Sequence, residues 1–452
     1  MTIARSAAAP RARERVEASL AAIEANNARV NAMVLVDADA ARAAAARIDA
    51  AAAAGEPVGP LAGLVVTLKD NIAVAGQRTT SGARFFADHR PAENAAVVDR
   101  LLSADAIILG KVNMQEFAFG ATTQNLLLGS CRNPWDTERI PGGSSGGSGA
   151  AIAAGHCEAS LGSDTGGSGR MPAAVNGCLG LRPTQGRISN HGVFPVSPRF
   201  DTISPMAREA GDVAALLDAL TGFDARDPWS VAGKGEAGPA RFRIGVPRAF
   251  FFEDIDPEIA ALVEAAIAVF AAAGVAIVPI DLPDAARTQG WMSTLLLADA
   301  AETHQGRIAE APELFDPEVL RRLRLGFDIT GIAYAEALTA KAAWQRTLRA
   351  TFETVDLILT PTLAKTAPLI ADSKALFETT QALTRFAFAW ALGGGPALSV
   401  PCGFASNGTP VAFQLAAAPW HDELAIRAAD LYQRATDWHR ARPTIAPAED
   451  CE

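Results

Sequence analysis

Three short segments carry residue types that could do covalent chemistry together. The densest is Pro141-Gly142-Gly143-Ser144-Ser145-Gly146-Gly147-Ser148-Gly149-Ala150, bare enough for its backbone to approach another group closely. Helix-forming residues Ala151 to Ala154 follow directly. Glycine-rich loops at helix starts often cradle phosphate, but that pattern demands Lys then Ser or Thr after its last glycine, which this segment lacks. A flexible Gly/Ser linker would seldom feed straight into a helix between apolar strands. The second segment, Gly162-Ser163-Asp164-Thr165-Gly166-Gly167-Ser168-Gly169-Arg170, follows the apolar run Ala159 to Leu161 and so sits at a strand end. There the N–H groups of Thr165, Gly166, Gly167 and Ser168 could converge on a developing oxyanion, each such donor contributing about 3 kcal/mol. On local pattern alone, a strand-end turn closed by an Asp164–Arg170 ion pair accounts for the same residues. The third segment, Leu68-Lys69-Asp70-Asn71, puts a lysine at the end of the apolar run Leu64 to Leu68. Most such lysines snorkel to water. A buried one can serve a serine as base if desolvation lowers its pKa from about 10.4, and three units of depression would cost about 4 kcal/mol.

These groups need a scaffold, and the flanking pattern supplies one. Arg11 to Asn27, with Val16, Leu20 and Ile23 on one face, and Asp37 to Ala54 read as outer-layer helices. Past Gly55 to Pro60 come short apolar runs bounded by turn residues: Leu64 to Leu68, Ala106 to Leu109 and Ala159 to Leu161. A short helix from Val97 to Ala104 separates the first two. Strand and helix alternate, so the fold class is α/β, with a sheet covered on both faces. Ile244 to Val246 leads to a helix capped by Asp256, with Pro257 in its first turn and Gly274 at its stop. Val275 to Ile280, Leu357 to Leu359, Leu398 to Val400 and Ala412 to Ala416 read as further buried strands, Thr288 to Trp344 as mainly helical, and Asp422 to Arg434 as a final helix. The Gly, Pro and Lys run from Val231 to Ala240 is either a linker between two α/β halves or a surface loop, and one continuous core is the preferred reading.

Composition excludes several classes. The 452 residues are 49% hydrophobic and only 20% charged, which fits a large buried core rather than a solvating polymer. Forty Lys+Arg against fifty Asp+Glu gives a net charge of -10. With no basic block, nucleic-acid binding is not expected. No apolar stretch is long enough to span a membrane, and Arg5, Arg11, Arg13 and Arg15 lie where a secretory signal would need an apolar core, so a cytoplasmic protein is expected. Cys131, Cys157, Cys178, Cys402 and Cys451 have no paired or metal spacing and read as reduced thiols. The six histidines show no ligand spacing, so no metal is expected.

Taken together, the three segments resemble the amidase signature family, serine hydrolases that use a Ser, cis-Ser and Lys triad. The likeness runs from about Gly59 to Pro205, through Pro60-Leu-Ala-Gly-Leu-Val-Val-Thr-Leu-Lys-Asp-Asn, Gly110-Lys-Val-Asn-Met-Gln-Glu-Phe-Ala, Arg132-Asn-Pro-Trp and both serine loops. It continues more weakly through Leu359-Thr-Pro-Thr, Gly395-Pro-Ala-Leu-Ser-Val-Pro and Gln414-Leu. The resemblance implies an α/β/α sandwich around one large mixed sheet, a single domain over 1–452 with N-terminal helices (1–58), signature core (59–205) and a variable, mainly helical pocket region (285–392). It implies Ser168 as nucleophile, Ser144 as the bridging serine after a cis peptide from Gly143, and Lys69 as terminal base, with Thr165, Gly166, Gly167 and Ser168 as the oxyanion hole. Ser145, Asp164 and Arg170 would support them, and no cofactor would be needed. Two departures stand out: Gly169, where the family usually carries a bulky aliphatic residue, and the Ile203-Ser204 pair, where a glycine is common. The N-terminal helix is also shorter than usual.

The function implied is cleavage of C–N bonds in small-molecule amides through an acyl-enzyme, with anilides or aryl carbamates preferred and ester cleavage feasible. Phe119, Trp291, Phe327, Phe386 and Trp390 are the expected pocket walls, unless they are plain core. Arg321, Arg322 and Arg324 either meet a carboxylate or form a solvated helix face. Competing readings are a biuret-type ureide hydrolase, the glutaminase subunit of a tRNA-dependent amidotransferase, and a non-catalytic descendant. An α/β-hydrolase is another, because Gly142-Gly-Ser144-Ser-Gly146 also fits Gly-x-Ser-x-Gly with His304, His421 and His439 downstream. The expected partners are an amide or carbamate substrate and, as in many family members, a second copy of the chain, with no nucleic acid and no membrane.

Overall fold

The computed structural model describes residues 11–445; Arg5 and Cys451 lie outside them. Eleven strands form one mixed sheet: β1 (Met33–Val36), β2 (Val65–Lys69), β3 (Ile107–Val112), β4 (Ala159–Ser163), β5 (Leu179–Arg182), β6 (Ile203–Ala207), β7 (Arg243–Pro247), β8 (Ala276–Ile280), β9 (Leu357–Pro361), β10 (Ala397–Phe404) and β11 (Pro410–Ala417). Their spatial order is β1-β3-β2-β4-β6-β5-β10-β11-β9-β7-β8. β2 runs parallel to β3 and β4, and β7 parallel to β8 and β9, while the central pairs around β6, β5, β10 and β11 are antiparallel.

The helices are α1 (Ala12–Val30), α2 (Ala38–Ala53), α3 (Ala96–Ser103), α4 (Gly146–Ala153), α5 (Arg170–Asn176), α6 (Ala210–Leu220), α7 (Pro257–Ala272), α8 (Thr288–Glu310), α9 (Pro317–Arg324), α10 (Gly331–Thr354), α11 (Leu376–Thr384), α12 (Ala387–Gly393) and α13 (Asp422–Ala435). Strand alternation sorts them into layers. Leu357 and Leu359 of β9 enter one core with α3, α6, α7 and α13, while Ile358 enters the opposite core with α8, α10 and α12. At the other end of the sheet Val66 and Leu68 face the first layer, and Val65 faces α1, α2 and α4. By the same parity Lys69 projects toward α4.

The expected ends of α7 form: the Asp256 carboxylate accepts from Glu258 N–H, Pro257 opens the helix, and Gly274 lies beyond its end at φ +82°. The Asp37 carboxylate likewise caps α2, accepting from Ala40 N–H. Residues 231–240 contain no helix or strand and are mostly exposed, a surface loop on the body. Three strands and two helices, α5 and α6, exceed the sequence reading. β1 is four residues between two helices, β5 and β6 are cut by Gly180 and Pro205, and α5 carries Pro172. α4 begins at Gly146, not at Ala151. Glycine is a poor helix former, but a Cβ on Gly147 would sit 2.2 Å from the Asn113 carbonyl oxygen, so close packing overrides propensity. β8 is half-exposed rather than buried because it closes the sheet edge.

Candidate active site

Lys69 is the last residue of β2 and is fully buried. Its Nζ donates to Ser144 Oγ at 2.7 Å and to Ser163 Oγ at 2.8 Å. Burial lowers its pKa to about 7, against the opposing pull of Asp201 and Asp164. A second buried lysine, Lys111, donates instead to the Ile72 carbonyl and Thr79 Oγ1, beside Asp70, and reaches no serine. Ser144 follows a cis peptide from Gly143, and its carbonyl accepts from Gln115 N–H at 3.1 Å. A Cβ at Gly143 would lie 2.6 Å from the Ala121 carbonyl carbon, so only glycine fits there. Ser145 joins the two serine loops: its N–H donates to the Ser168 carbonyl at 3.2 Å, and its Oγ exchanges 3.1 Å bonds with the Ser163 backbone.

The loop from β4 to α5 is organised by Asp164. This buried carboxylate accepts from the N–H groups of Gly167 (2.7 Å), Gly169 (3.2 Å) and Arg170 (3.4 Å) and from the Arg170 guanidinium at 3.0 and 3.1 Å. Arg182 stands 3.3 Å away. Burial alone would raise its pKa, but the two guanidinium groups outweigh burial and hold it far below the usual carboxylate range. Arg170 continues to the Ala387 carbonyl and Gln414 Oε1, both at 3.1 Å, which ties the loop to α12 and β11. Thr165 Oγ1 donates to Asp201 at 2.6 Å; burial first of all raises that carboxyl to about 6.

Gly167 is a correction to the expected oxyanion donors, since its N–H is already held by Asp164. The N–H groups of Thr165, Gly166 and Ser168 have no acceptor among the described residues. Ser168, 8% exposed, lines a pocket, and its hydroxyl makes no hydrogen bond to Ser144 in this structure. Gly169 and Ser204 prove to be neighbours: a Cβ at Gly169 would fall 1.9 Å from Ser204 Oγ, which itself donates to the Leu181 carbonyl at 2.7 Å. The two departures from the family pattern therefore share one contact.

A narrow cleft with about 20 Å³ of free space opens beside Ser168. Of the expected walls only Phe119 lines it. Trp291 packs under Arg287, Phe327 is exposed, Phe386 lies in the core against Phe250 and Phe251, and Trp390 stacks on Phe251 and borders a different cavity. Aromatic type alone does not tell core from wall. Phe388, Met171, Leu296, Thr380 and Thr384 take their places. Phe388 presses on the bare face of Gly166, where a Cβ would lie 2.4 Å from its ring. The arginine cluster divides: Arg321 pairs with Glu318 and Glu378 on the surface and Arg324 is exposed, while Arg322 turns inward and lines the pocket. Asp201 and Arg182 carry no sequence signal beyond adjacency to the motifs, and Ser163 stands inside the second segment with no cue to its contact with Lys69.

The histidines do not serve these serines. His304 is enclosed by Phe117, Phe194 and Phe315, while His421 and His439 face Glu236 and Glu209. No strand runs into Ser144, since β3 ends at Val112, so a nucleophile elbow is absent. Cys131, Cys157, Cys178 and Cys402 are buried free thiols. Among the described residues no three His, Cys, Asp or Glu side chains gather to hold a metal, and no helix is long and apolar enough to cross a membrane.

Comparison with known proteins agrees with the α/β fold. The model of the Amidase family matches residues 14–426. A glutamyl-tRNA(Gln) amidotransferase subunit of Chloroflexus aggregans is 38% identical over 96% of this chain and 95% of its own. Among solved structures, one described as a vestigial protein complex revealing the evolutionary origins of an s-triazine catabolic enzyme superposes with a TM-score of 0.89 at 33% identity, covering 96% of this chain and 97% of that one. A bacterial aryl acylamidase of the amidase signature family superposes at 0.85 with 25% identity, covering 96% of each chain.

Proposed function

Since this chain belongs to the amidase family, we propose that it hydrolyses small-molecule amides through an acyl-enzyme on Ser168, with Ser144 relaying the proton and Lys69 as the base. The observation that carries this reading is the 2.7 Å bond from buried Lys69 to Ser144, on a lysine whose pKa is brought to about 7. At neutral pH a large share of Lys69 is therefore unprotonated and able to accept. Ser168 Oγ attacks the carbonyl carbon, its proton passes to Ser144, and the Ser144 proton passes to Lys69. The N–H groups of Thr165, Gly166 and Ser168 stabilise the oxyanion. Collapse expels the amine, which takes its proton back through Ser144, and water repeats the cycle to release the acid.

Anilides or aryl carbamates are the proposed substrate class. Support comes from the rings of Phe119 and Phe388 on the pocket wall and from likeness to an aryl acylamidase. A second reading, glutaminase in a multi-subunit amidotransferase, is favoured by the 38% identity to the Chloroflexus amidotransferase chain. Product release followed by mass spectrometry over aliphatic amides, anilides, aryl carbamates, biuret-type ureides and glutamine separates them. Wild type should cleave an amide without a partner, while Lys69→Ala, Ser144→Ala and Ser168→Ala each lose at least about a hundredfold while folded. Activity retained by Ser168→Ala sinks the mechanism; glutamine cleavage dependent on a co-purifying subunit moves the protein to the second reading.

A further inference from the structure

Arg322 is the one charged side chain on the wall of the Ser168 pocket. It comes from α9, capped by Asp316 and flanked by Arg321 and Arg324, whose side chains go to the surface. Arg322 is 5% exposed and lies with its Cζ 4.0 Å from the Phe119 ring centroid. No hydrogen bond or ion pair to another described residue is formed by it, and its Nε is buried without a partner. Burial is the sole cause acting on its pKa, so no carboxylate stands near enough to offset its charge. A guanidinium stays protonated in proteins, so it cannot escape the cost of burial by neutralising as a lysine can. The cation–π contact with Phe119 offsets part of that cost, yet leaves its hydrogen-bond donors unspent. An exposed helix face, the alternative for this cluster, accounts for Arg321 and Arg324 but not for Arg322.

The other polar groups beside it are uncharged. Thr384 Oγ1 donates to the Thr380 carbonyl at 2.8 Å, and Thr380 Oγ1 accepts from Ala121 N–H at 3.2 Å. No Asp or Glu lines the pocket. The acyl half of a substrate stays tethered to Ser168 while the amine departs, and the cleft that Ser168 and Arg322 both line is where that half would rest.

Resting on the amide-hydrolase reading, we propose that the acyl half of the substrate carries one carboxylate or similar anion, held by Arg322, and no ammonium group. Glutamine fits poorly on this account. Its carboxylate would suit Arg322, but its ammonium would add a second cation to a site with no acid to receive it. The same five-carbon acid monoamide without the amino group has the right charge, and valeramide has none.

Calorimetric binding of glutaric acid monoamide, glutamine and valeramide to the Ser168→Ala protein tests this apart from turnover. The monoamide should bind at least about thirtyfold more tightly than either of the others. Arg322→Met should abolish that preference while Arg322→Lys retains part of it, with thermal unfolding checked in both. Equal binding of the three, binding of none, or tightest binding of glutamine overturns the proposal. Turnover is then read on matched p-nitroanilides of glutaric, valeric and γ-glutamyl acyl groups with wild type. Selective binding without hydrolysis of any would refute the catalytic reading and leave the anion site standing. Hydrolysis of all three at similar rates would do the reverse.

Discussion

Replacing Gly169 by Ala should damage the nucleophile loop, and removing the Ser204 hydroxyl should repair it. Gly169 has φ −95° and ψ −42°, angles any L residue adopts, so backbone strain plays no part. On conformational entropy alone the change would stabilise by about 0.4–1 kcal/mol. The new methyl, however, lies 1.9 Å from Ser204 Oγ and 2.5 Å from its Cβ, and overpacking of that kind costs about 1–3 kcal/mol. Ser204→Gly alone loses the 2.7 Å bond to the Leu181 carbonyl, about 0.5–1.5 kcal/mol, plus about 0.5–1 kcal/mol for glycine within a strand. In the double variant the overlap is gone, so its loss should fall below the sum of the singles by about 1–3 kcal/mol. Urea denaturation of the four proteins at one pH measures this coupling directly. Because Gly169 adjoins Ser168, kcat/KM should drop about tenfold or more in Gly169→Ala and recover in the double, as small displacements of a reacting atom are costly. Additivity within about 0.5 kcal/mol would show that the two positions do not share a contact, and the reasoning would fail.

The acid limb of kcat/KM should rise with unit slope and level off above about pH 7, since Lys69 must lose its proton to act and burial sets its pKa there. A limb unchanged in midpoint when Asp201→Asn removes the charge that raises Lys69 would contradict that assignment, because losing a nearby anion should move the midpoint down. Arg170→Met should lower stability by about 3–5 kcal/mol in urea denaturation by stranding part of the Asp164 charge. A loss below about 1 kcal/mol would mean that Arg182 alone satisfies that carboxylate.

Much of this site could be read from the chain because its parts are local. The Gly-rich runs around Ser144 and Ser168 stand next to strands and helices whose apolar periods are plain, and Lys69 ends a strand that alternates into two cores. What escaped depends on tertiary contact. β5 and β6 are short and interrupted by Gly180 and Pro205, and are held only by their place at the centre of the sheet. Gly146, Gly147 and Gly149 enter a helix against their propensity because Thr123, Asn113 and Pro172 respectively leave no room for a Cβ. Among the aromatics, Phe119 and Phe386 look alike in sequence, and only the packing of α12 puts Phe388 rather than Phe386 on the pocket. Arg321 and Arg322 are adjacent residues with opposite fates, decided by which side of α9 meets the body.

The ties from Arg170 to Ala387 and Gln414 also bear on when the protein becomes competent during synthesis. All three side chains proposed to react have been made by residue 168, but the loop that carries Ser168 leans on α12 and β11, and β5 finds its second neighbour only when β10 arrives. A nascent chain halted in the surface loop at 231–240 already holds Lys69, Ser144 and Ser168 and lacks every one of those anchors. On the proposed mechanism a chain that ends in that loop carries the three side chains without the contacts that hold the Ser168 loop in place, and is expected to be inert.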